Sequence, residues 1–323
     1  MSRRYGSLQV LAAAALWGTT GPVQVLASLH VAPAAVGAVR ILTGGLMLLV
    51  WSLVRRAPWA AAPVSRALGR RYWLPLLAAS CATGVFQAAY FTSVSRIGAA
   101  LATAIVFGVA PVSTGLAARV TDRSPLGYGW AASTACAIAG CALLLLPDRA
   151  GRTDALGVVL AVVAAACFAV YTVSAKRLAD DGAPMTAAVS ITLITGGLML
   201  TPWLITAGPG LFTWRALVTV AWLGPVTTAV AYMLFVQGLR TVSAATAGTL
   251  SLAEPLVAAA AGIGLLHEHM TVPAVIGCAL LATGLAFAAR RRPRGLDSTP
   301  VGPEALLAVA VVGSAPDAAT VGR

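Results

Sequence analysis

Charged residues are scarce in this sequence. Only 10% of its 323 residues are Asp, Glu, Lys or Arg, against roughly 25% in a soluble globular domain. The mean hydropathy is +0.87. Apolar stretches of about 20 residues, long enough to cross a hydrocarbon layer ~30 Å thick, recur along most of the chain. The composition therefore argues against an ordinary soluble domain and predicts an all-helical polytopic membrane protein.

Catalytic and nucleotide-binding motifs are missing as well. The sequence contains no P-loop, no dinucleotide-binding glycine fingerprint and no nucleophile elbow, which argues against primary active transport by this chain alone. His267 and His269 are two residues apart instead of the four that an HExxH zinc helix needs. Acids and histidines within the apolar stretches are too few for an intramembrane enzyme. No enzymatic activity, metal site or cofactor is predicted.

Cysteine is rare and odd in number. All five cysteines fall inside apolar stretches, where a free thiol behaves as a small apolar side chain. We interpret them as packing residues rather than disulfide or metal partners. They are Cys81, Cys136, Cys141, Cys167 and Cys278.

Ten membrane spans result when the apolar stretches are divided at their breaks. The first begins after a basic start typical of a signal peptide, but it continues without a clear cleavage site, so we predict a retained helix. The predicted spans are residues 8–27, 34–54, 73–94, 99–118, 127–146, 155–175, 185–206, 216–238, 243–266 and 271–289.

The distribution of Lys and Arg predicts the orientation of these spans. With the N-terminus inside, seventeen basic residues lie in cytoplasmic segments and four in outer segments, as the positive-inside rule requires. Both termini are then cytoplasmic, in the cell membrane, and residues 290–323 form a flexible cytoplasmic tail. The net charge of +12 belongs mostly to the inner surface, so no nucleic-acid partner is predicted.

The sequence also contains an internal repeat. TGGLML occurs at residues 43–48 and again at 195–200, each time followed by Trp at the same spacing. An Arg, a Pro and a Gly recur with separations of 15 and 29 residues, as Arg96, Pro111 and Gly140 in the first copy and as Arg240, Pro255 and Gly284 in the second. Each copy has five spans, an odd number, so the copies are expected to be inverted, as in secondary transporters. The alternative is a duplication that enlarged a structural bundle.

Glu254 and Pro255 interrupt the ninth apolar stretch near its middle. An acid within the membrane is unfavourable unless it faces a polar space or a partner, and a proline removes a helical hydrogen bond. We expect Pro255 to free the carbonyl of Ser251 and Pro111 to free that of Phe107, so that both prolines act as hinges. Glu254 either faces a water-filled pathway, where it binds a cationic group or exchanges a proton, or holds helices together as a hydrogen-bonded carboxyl.

Polar-tipped and aromatic residues in the other spans are candidates for a solute cavity. Taken singly, each also fits helix packing or interface anchoring. Arg40 is interpreted as an interface anchor, with pairing to Glu254 as the alternative. The candidates are Trp17, Gln87, Tyr90, Tyr171, Tyr232 and Gln237.

Three segments resemble a known family. LRTVSAATAGTLSLAEPLVAAAAGIGLLHEHMTVPAVIGCALLATGL at residues 239–285 resembles the end of the second EamA domain of the drug/metabolite transporter superfamily. LWGTTGPV at 16–23 and VRILTGGL at 39–46 resemble the start of the first. The resemblance implies two domains, at 8–146 and 155–289, and a ten-helix inner-membrane transporter with a central cavity. Such proteins often export amino acids or other small metabolites.

One position departs from the family pattern. Ser124 aligns with Glu268, where family members often carry an acid in both copies, so a symmetric pair of acids is not expected. Glu268 is interpreted as a helix-end structural residue.

The sequence thus predicts a transporter that moves a small organic solute by alternating access. The driving force is the proton motive force, with protons as a second ligand, or the solute gradient. A non-transporting scaffold and an intramembrane enzyme are the alternatives, and the oligomeric state is left open.

Overall fold

Every regular element in the part of the chain that the structure describes is a helix. The computed structural model describes residues 3–28, 31–54, 69–122, 126–145, 154–205, 207–267 and 270–290. The helices up to residue 180 are α1 Arg3–Gly18, α2 Thr20–Ala27, α3 Pro33–Val54, α4 Trp73–Ile97, α5 Ala99–Asp122, α6 Tyr128–Leu144 and α7 Ala155–Asp180. Those that follow are α8 Met185–Leu198, α9 Thr201–Ile205, α10 Trp214–Leu223, α11 Ala231–Leu239, α12 Ala244–Leu250, α13 Ala253–Leu266 and α14 Val272–Arg290, with a 3₁₀ turn at Pro209–Phe212 and a π-helix at Pro225–Val230.

Eight helical segments of the described chain are long and apolar enough to cross a membrane. Three of them are interrupted helices: α1 with α2, α10 with α11 through the π-helix, and α12 with α13. The segments predicted as the fifth and seventh spans form the shorter apolar helices α6 and α8. Ser124, Glu268, most of the arginine-rich segment after α3 and the tail beyond residue 290 lie outside the described residues.

The two prolines have different effects on their helices. α12 ends at Leu250 and α13 begins at Ala253, so the chain does break before Pro255. The carbonyl of Ser251 is not left free, however, because it accepts the amide hydrogen of Glu254 at 3.1 Å in a tightened turn. α5 continues without interruption through Pro111. One missing hydrogen bond does not end a helix that neighbouring helices support, and the role of Pro111 as a hinge stays a prediction.

Helices α4 and α7 are joined by ion pairs at both ends. Arg71 Nη2 lies 2.9 Å from Asp181 Oδ1, and Arg96 Nη1 lies 2.7 Å from Asp154 Oδ2. The two helices are therefore antiparallel. Near the second pair, the Ser93 hydroxyl donates to the carbonyl of Gly157 at 2.7 Å within the buried contact.

Asp154 is also the N-cap of α7, where its carboxylate accepts the amide hydrogen of Leu156 at 2.9 Å. The hydrogen bond from Arg96 holds the pKa of this carboxyl below its usual range. Because the pair is partly exposed, its contribution to stability is small. Its structural consequence is to fix where α7 begins, beside the end of α4.

Glycines allow α6 and α14 to approach backbone to backbone. A Cβ at Gly284 would lie 2.7 Å from the nitrogen of Ala137 and 2.8 Å from the carbonyl oxygen of Ser133. A Cβ at Gly140 would overlap the backbone of Leu281 and lie 2.6 Å from the carbonyl oxygen of Gly277. The C-terminal part of α6 therefore contacts the N-terminal part of α14, and the middle of α6 contacts the C-terminal part of α14. The two helices are antiparallel.

The TGGLML glycines make an equivalent contact between α3 and α8. A Cβ at Gly45 would lie 2.9 Å from Ile194, and a Cβ at Gly197 would lie 2.7 Å from Leu42. This pair is antiparallel too. Gly45 and Gly197 occupy corresponding positions in the two sequence copies, and each packs against the helix that carries the other. The same holds for Gly140 and Gly284. The sequence repeat is therefore matched by reciprocal contacts.

We expect Gly140→Ala to destabilise the protein. The added methyl group must push α6 away from the backbone of Leu281, and overpacking of this kind costs about 1–3 kcal/mol. Gly264→Ala is the matched control, because a Cβ there meets no atom within 4 Å and alanine favours the helix by up to about 1 kcal/mol. The melting temperatures of both purified variants are measured by thermal unfolding in detergent. Equal melting temperatures for the two variants would contradict the close packing.

Candidate functional site

A cavity of about 510 Å³ lies among the helices. This volume is within the range of small-molecule sites, roughly 300–1,000 Å³. Side chains of α1 to α5, α7 and α11 to α13 line the cavity, so both halves of the sequence contribute.

The cavity brings together most of the residues that the sequence singled out. Pro111 and Pro255 lie on its wall, and Gln237 does not. The six residues predicted to bind a solute all line it, namely Trp17, Gln87, Tyr90, Tyr171, Tyr232 and Glu254. Their contact with a solute stays a prediction.

The cavity reaches one end of the helices only. α5 lines it from its first residue, Ala99, to Pro111 and not beyond. Val25 near the end of α2 and Pro33 at the start of α3 also line it, and both are exposed. The mouth is therefore on the face where α2 ends and where α3 and α5 begin.

Aromatic rings close the opposite end. The ring centroids of Trp17 and Tyr232 lie 5.4 Å apart, and those of Tyr171 and Tyr232 lie 5.6 Å apart. Behind them, Phe235 is fully buried, and its ring centroid lies 5.3 Å from that of Trp17. These rings form a packed floor, and Phe235 itself does not line the cavity.

Glu254 lies in the first turn of α13, directly after the break between α12 and α13. The amide groups of a helix N-terminus carry partial positive charge, which stabilises a carboxylate beside it. The backbone here packs against Gly18, where a Cβ would lie 2.6 Å from the carbonyl oxygen of Glu254. The interrupted helix thus provides both a favourable electrostatic position and an inward-facing acid.

Arg40 is the cavity residue whose placement the sequence did not predict. We interpreted it as an interface anchor, but its side chain lines the cavity with Glu254. Within the described chain, neither side chain forms a hydrogen bond or an ion pair shorter than 4.0 Å. The two charges interact electrostatically across the space between them. The only sequence signal was an arginine inside an apolar span, where snorkelling is the simpler explanation.

Several buried polar atoms of the cavity wall have no hydrogen-bond partner in the described chain. They are Oε1 and Nε2 of Gln87, the hydroxyl of Tyr171 and the hydroxyl of Thr20. Gln87 is only 1% exposed, and an unsatisfied buried polar group costs about 1–3 kcal/mol. In contrast, the Tyr90 hydroxyl is paired with that of Thr103 at 2.8 Å. The unpaired groups are available to a solute or to water.

Apolar helices around a partly polar cavity that reaches one face are the arrangement of a membrane transporter. The EamA-like transporter family matches residues 4–146 and 155–290. The chain therefore belongs to this family, as its sequence motifs predicted, and it is a multi-pass membrane protein.

Individual relatives agree with this assignment. The uncharacterized transporter YwfM of Bacillus subtilis is 38% identical over 287 residues, which cover 86% of this chain and 92% of that protein. The threonine/homoserine exporter RhtA of Escherichia coli K12 is 27% identical over 281 residues, which cover 87% of this chain and 88% of that protein. A solved crystal structure shares the fold with a TM-score of 0.74 at 20% identity, covering 88% of this chain and 96% of the other.

We expect Gln87→Met to leave stability unchanged or to raise it, while it lowers transport. The substitution removes two polar atoms that have no partner in the described chain and keeps a similar volume. Ser93→Ala serves as the contrast, because it removes a buried hydrogen bond between α4 and α7 and should cost about 1 kcal/mol. Thermal unfolding and solute flux in liposomes measure the two effects. A marked loss of stability in Gln87→Met would show that Gln87 has a structural role.

Proposed function

We propose that the protein is a secondary transporter of the cell membrane that exports a small organic solute by alternating access. The observation that carries this proposal is the cavity itself, which places Glu254 and Arg40 among the helices and reaches one face only. A cavity closed at one end is what one state of an alternating-access cycle requires. A scaffold has no need of such a space.

Two inverted repeats of five helices are the architecture we propose, with domains at residues 8–146 and 155–289. The antiparallel pairs α3 with α8 and α6 with α14 support it, because each pair joins corresponding helices of the two sequence copies. Corresponding helices that run in opposite directions are what inversion produces. In such a protein, the two halves exchange roles when the cavity changes the face to which it opens.

The orientation we propose puts both termini in the cytoplasm. It is supported by the excess of Lys and Arg in the segments assigned to the inside. The mouth of the cavity, where α2 ends and α3 begins, then faces outward. The aromatic floor around Phe235 is the inner closure, and the break before Pro255 is a point at which α13 can tilt relative to α12.

The relatives named threonine/homoserine exporters support an amino-acid-like solute and the direction of export. Either the proton motive force or the solute gradient would drive the movement, and Glu254 is the group on which a proton would travel. The oligomeric state does not enter this mechanism.

We expect Glu254→Gln to reduce solute flux at least tenfold, because one hydrogen bond to a charged group is worth about 1.5–3 kcal/mol. The purified protein is first reconstituted in liposomes and screened with pooled labelled metabolites. This screen identifies the solute whose flux is then measured in the variants. Asp180→Asn is the control, since Asp180 is an exposed acid paired with Lys176 outside the cavity. Unchanged flux in Glu254→Gln would remove Glu254 from the pathway. No saturable flux for any metabolite would favour the scaffold.

We expect a membrane-impermeant thiol reagent to modify Cys167 from the outside. Cys167 lines the cavity, whereas Cys141 is buried and does not. A variant that keeps only Cys167 is compared with one that keeps only Cys141, with reagent added to either side of oriented vesicles. Labelling of Cys167 only from the cytoplasmic side would contradict the proposed orientation of the mouth.

A further inference from the structure

Two exposed arginines lie beside one helix contact at the end of the molecule opposite the mouth of the cavity. Arg4 is in the first turn of α1, and Arg240 directly follows α11. The two helix ends touch, because a Cβ at Gly6 would overlap the hydroxyl of Thr241 and lie 3.0 Å from the carbonyl oxygen of Gly238. Within the described chain, neither arginine side chain forms an ion pair or a hydrogen bond.

The first helices of the two sequence copies, α1 and α7, make this contact in the same way. A Cβ at Gly157 in α7 would lie 2.6 Å from the side chain of Ile97 at the end of α4. Ile97 and Thr241 are separated by 144 residues, as are Pro111 and Pro255. A separation of 151 residues aligns the two helices, placing Gly6 on Gly157, the alanines 13–15 on the alanines 164–166, and Trp17 on Phe168.

The charges at the two contacts differ. The same separation places Arg3 where the second copy has Asp154. Asp154 pairs with Arg96 at 2.7 Å and caps the start of α7. α1 has no acid in its first turn, so Arg240, the counterpart of Arg96, lacks this partner. The amides at a helix N-terminus carry partial positive charge, which makes additional positive residues there unfavourable. An anion at this end would remove the repulsion.

A buried hydroxyl without a partner lies one turn further along α1. Ser7 is 3% exposed, and its Oγ forms no hydrogen bond to the residues that the structure describes. Residues three apart share a helix face, and helical side chains lean towards the N-terminus. Ser7 therefore lies below Arg4, with its hydroxyl directed to the start of the helix. A phosphate oxygen there can accept hydrogen bonds from this hydroxyl and from the unpaired amides of the first turn.

The adjacent face of α1 is apolar and exposed. Tyr5 is 49% exposed and Leu8 is 62% exposed, and their spacing puts them on one face of the helix. This face continues from the arginines towards the middle of the membrane. A soluble anion gains nothing from it. A lipid can place its headgroup at the arginines and its acyl chains along Tyr5 and Leu8.

We propose that the start of α1 and the turn after α11 bind the phosphate of an anionic phospholipid between Arg4 and Arg240. The phosphate supplies the negative charge that Asp154 supplies at the other contact. Arginine suits a phosphate because its guanidinium donates two parallel hydrogen bonds. In the orientation proposed above, the lipid belongs to the cytoplasmic leaflet, whose anionic lipids attract basic residues. The inference uses the proposed function only to assign this leaflet.

The test measures lipid binding to the purified full-length protein in a neutral detergent. The melting temperature is recorded while a short-chain phosphatidylglycerol is added, because a ligand that binds only the folded state raises it. The comparison ligands are phosphatidylcholine with the same chains, which adds a positive group, and glycerol 1-phosphate, which has no chains. We expect phosphatidylglycerol to bind at least about tenfold more tightly than either of them.

Four variants test the residues of the site. Arg4→Gln and Arg240→Gln should each weaken phosphatidylglycerol about fivefold and leave phosphatidylcholine unchanged within about twofold. Arg119→Gln is the matched control, because Arg119 is an exposed arginine in the last turn of α5, at the same end of the molecule. It should bind as the unmodified protein does. Arg3→Asp introduces the acid of the other contact, so it should raise the melting temperature without lipid and remove most of the effect of phosphatidylglycerol.

Three results would overturn the site. Equal weakening by Arg119→Gln and Arg240→Gln would show that general positive charge attracts the lipid. Equal binding of glycerol 1-phosphate and phosphatidylglycerol would show a site for soluble anions. Unchanged binding of phosphatidylglycerol in folded Arg3→Asp would show that no lipid replaces the acid, and if this variant fails to fold, the glutamine variants decide. None of these measurements needs solute flux, so their failure leaves the transport function standing.

Discussion

A charged group within a hydrocarbon layer must have polar surroundings, and this constraint organises the centre of the protein. Glu254 obtains them from an interrupted helix. The break between α12 and α13 places the acid at the N-terminal turn of α13, where backbone amides favour negative charge. The side chain of Glu254 lines the cavity.

Close backbone packing is the second feature of the fold, and it holds together helices that surround the cavity. The glycine contacts of α6 with α14 and of α3 with α8 bring the helices of each pair close together. In lipid, such contacts replace the hydrophobic effect as a source of helix association. A similar close contact occurs beside the cavity. Because Gly18 has no side chain, α1 packs directly against the backbone of Glu254.

The two sequence copies are similar in packing but not in charge. At the separation that aligns Pro111 with Pro255, the residue corresponding to Glu254 is Ala110, which also lines the cavity. The arginine of the cavity, Arg40, comes from the first copy. A pseudo-symmetric framework therefore carries an asymmetric pair of charges.

The sequence alone determined the membrane-spanning character, the family and the presence of an acid and a proline in the ninth span. These follow from hydropathy, composition and motif spacing, which are local properties. Trp17, Gln87 and the tyrosines were candidates from residue type only, and the packing of several helices was needed to bring them into one cavity. Only the tertiary structure decided that Arg40 faces this cavity, that Gln87 lacks a partner in the described chain, and that α5 continues through Pro111. The direction of a side chain and the cost of a missing hydrogen bond depend on which helices lie beside it, and no single segment contains that information.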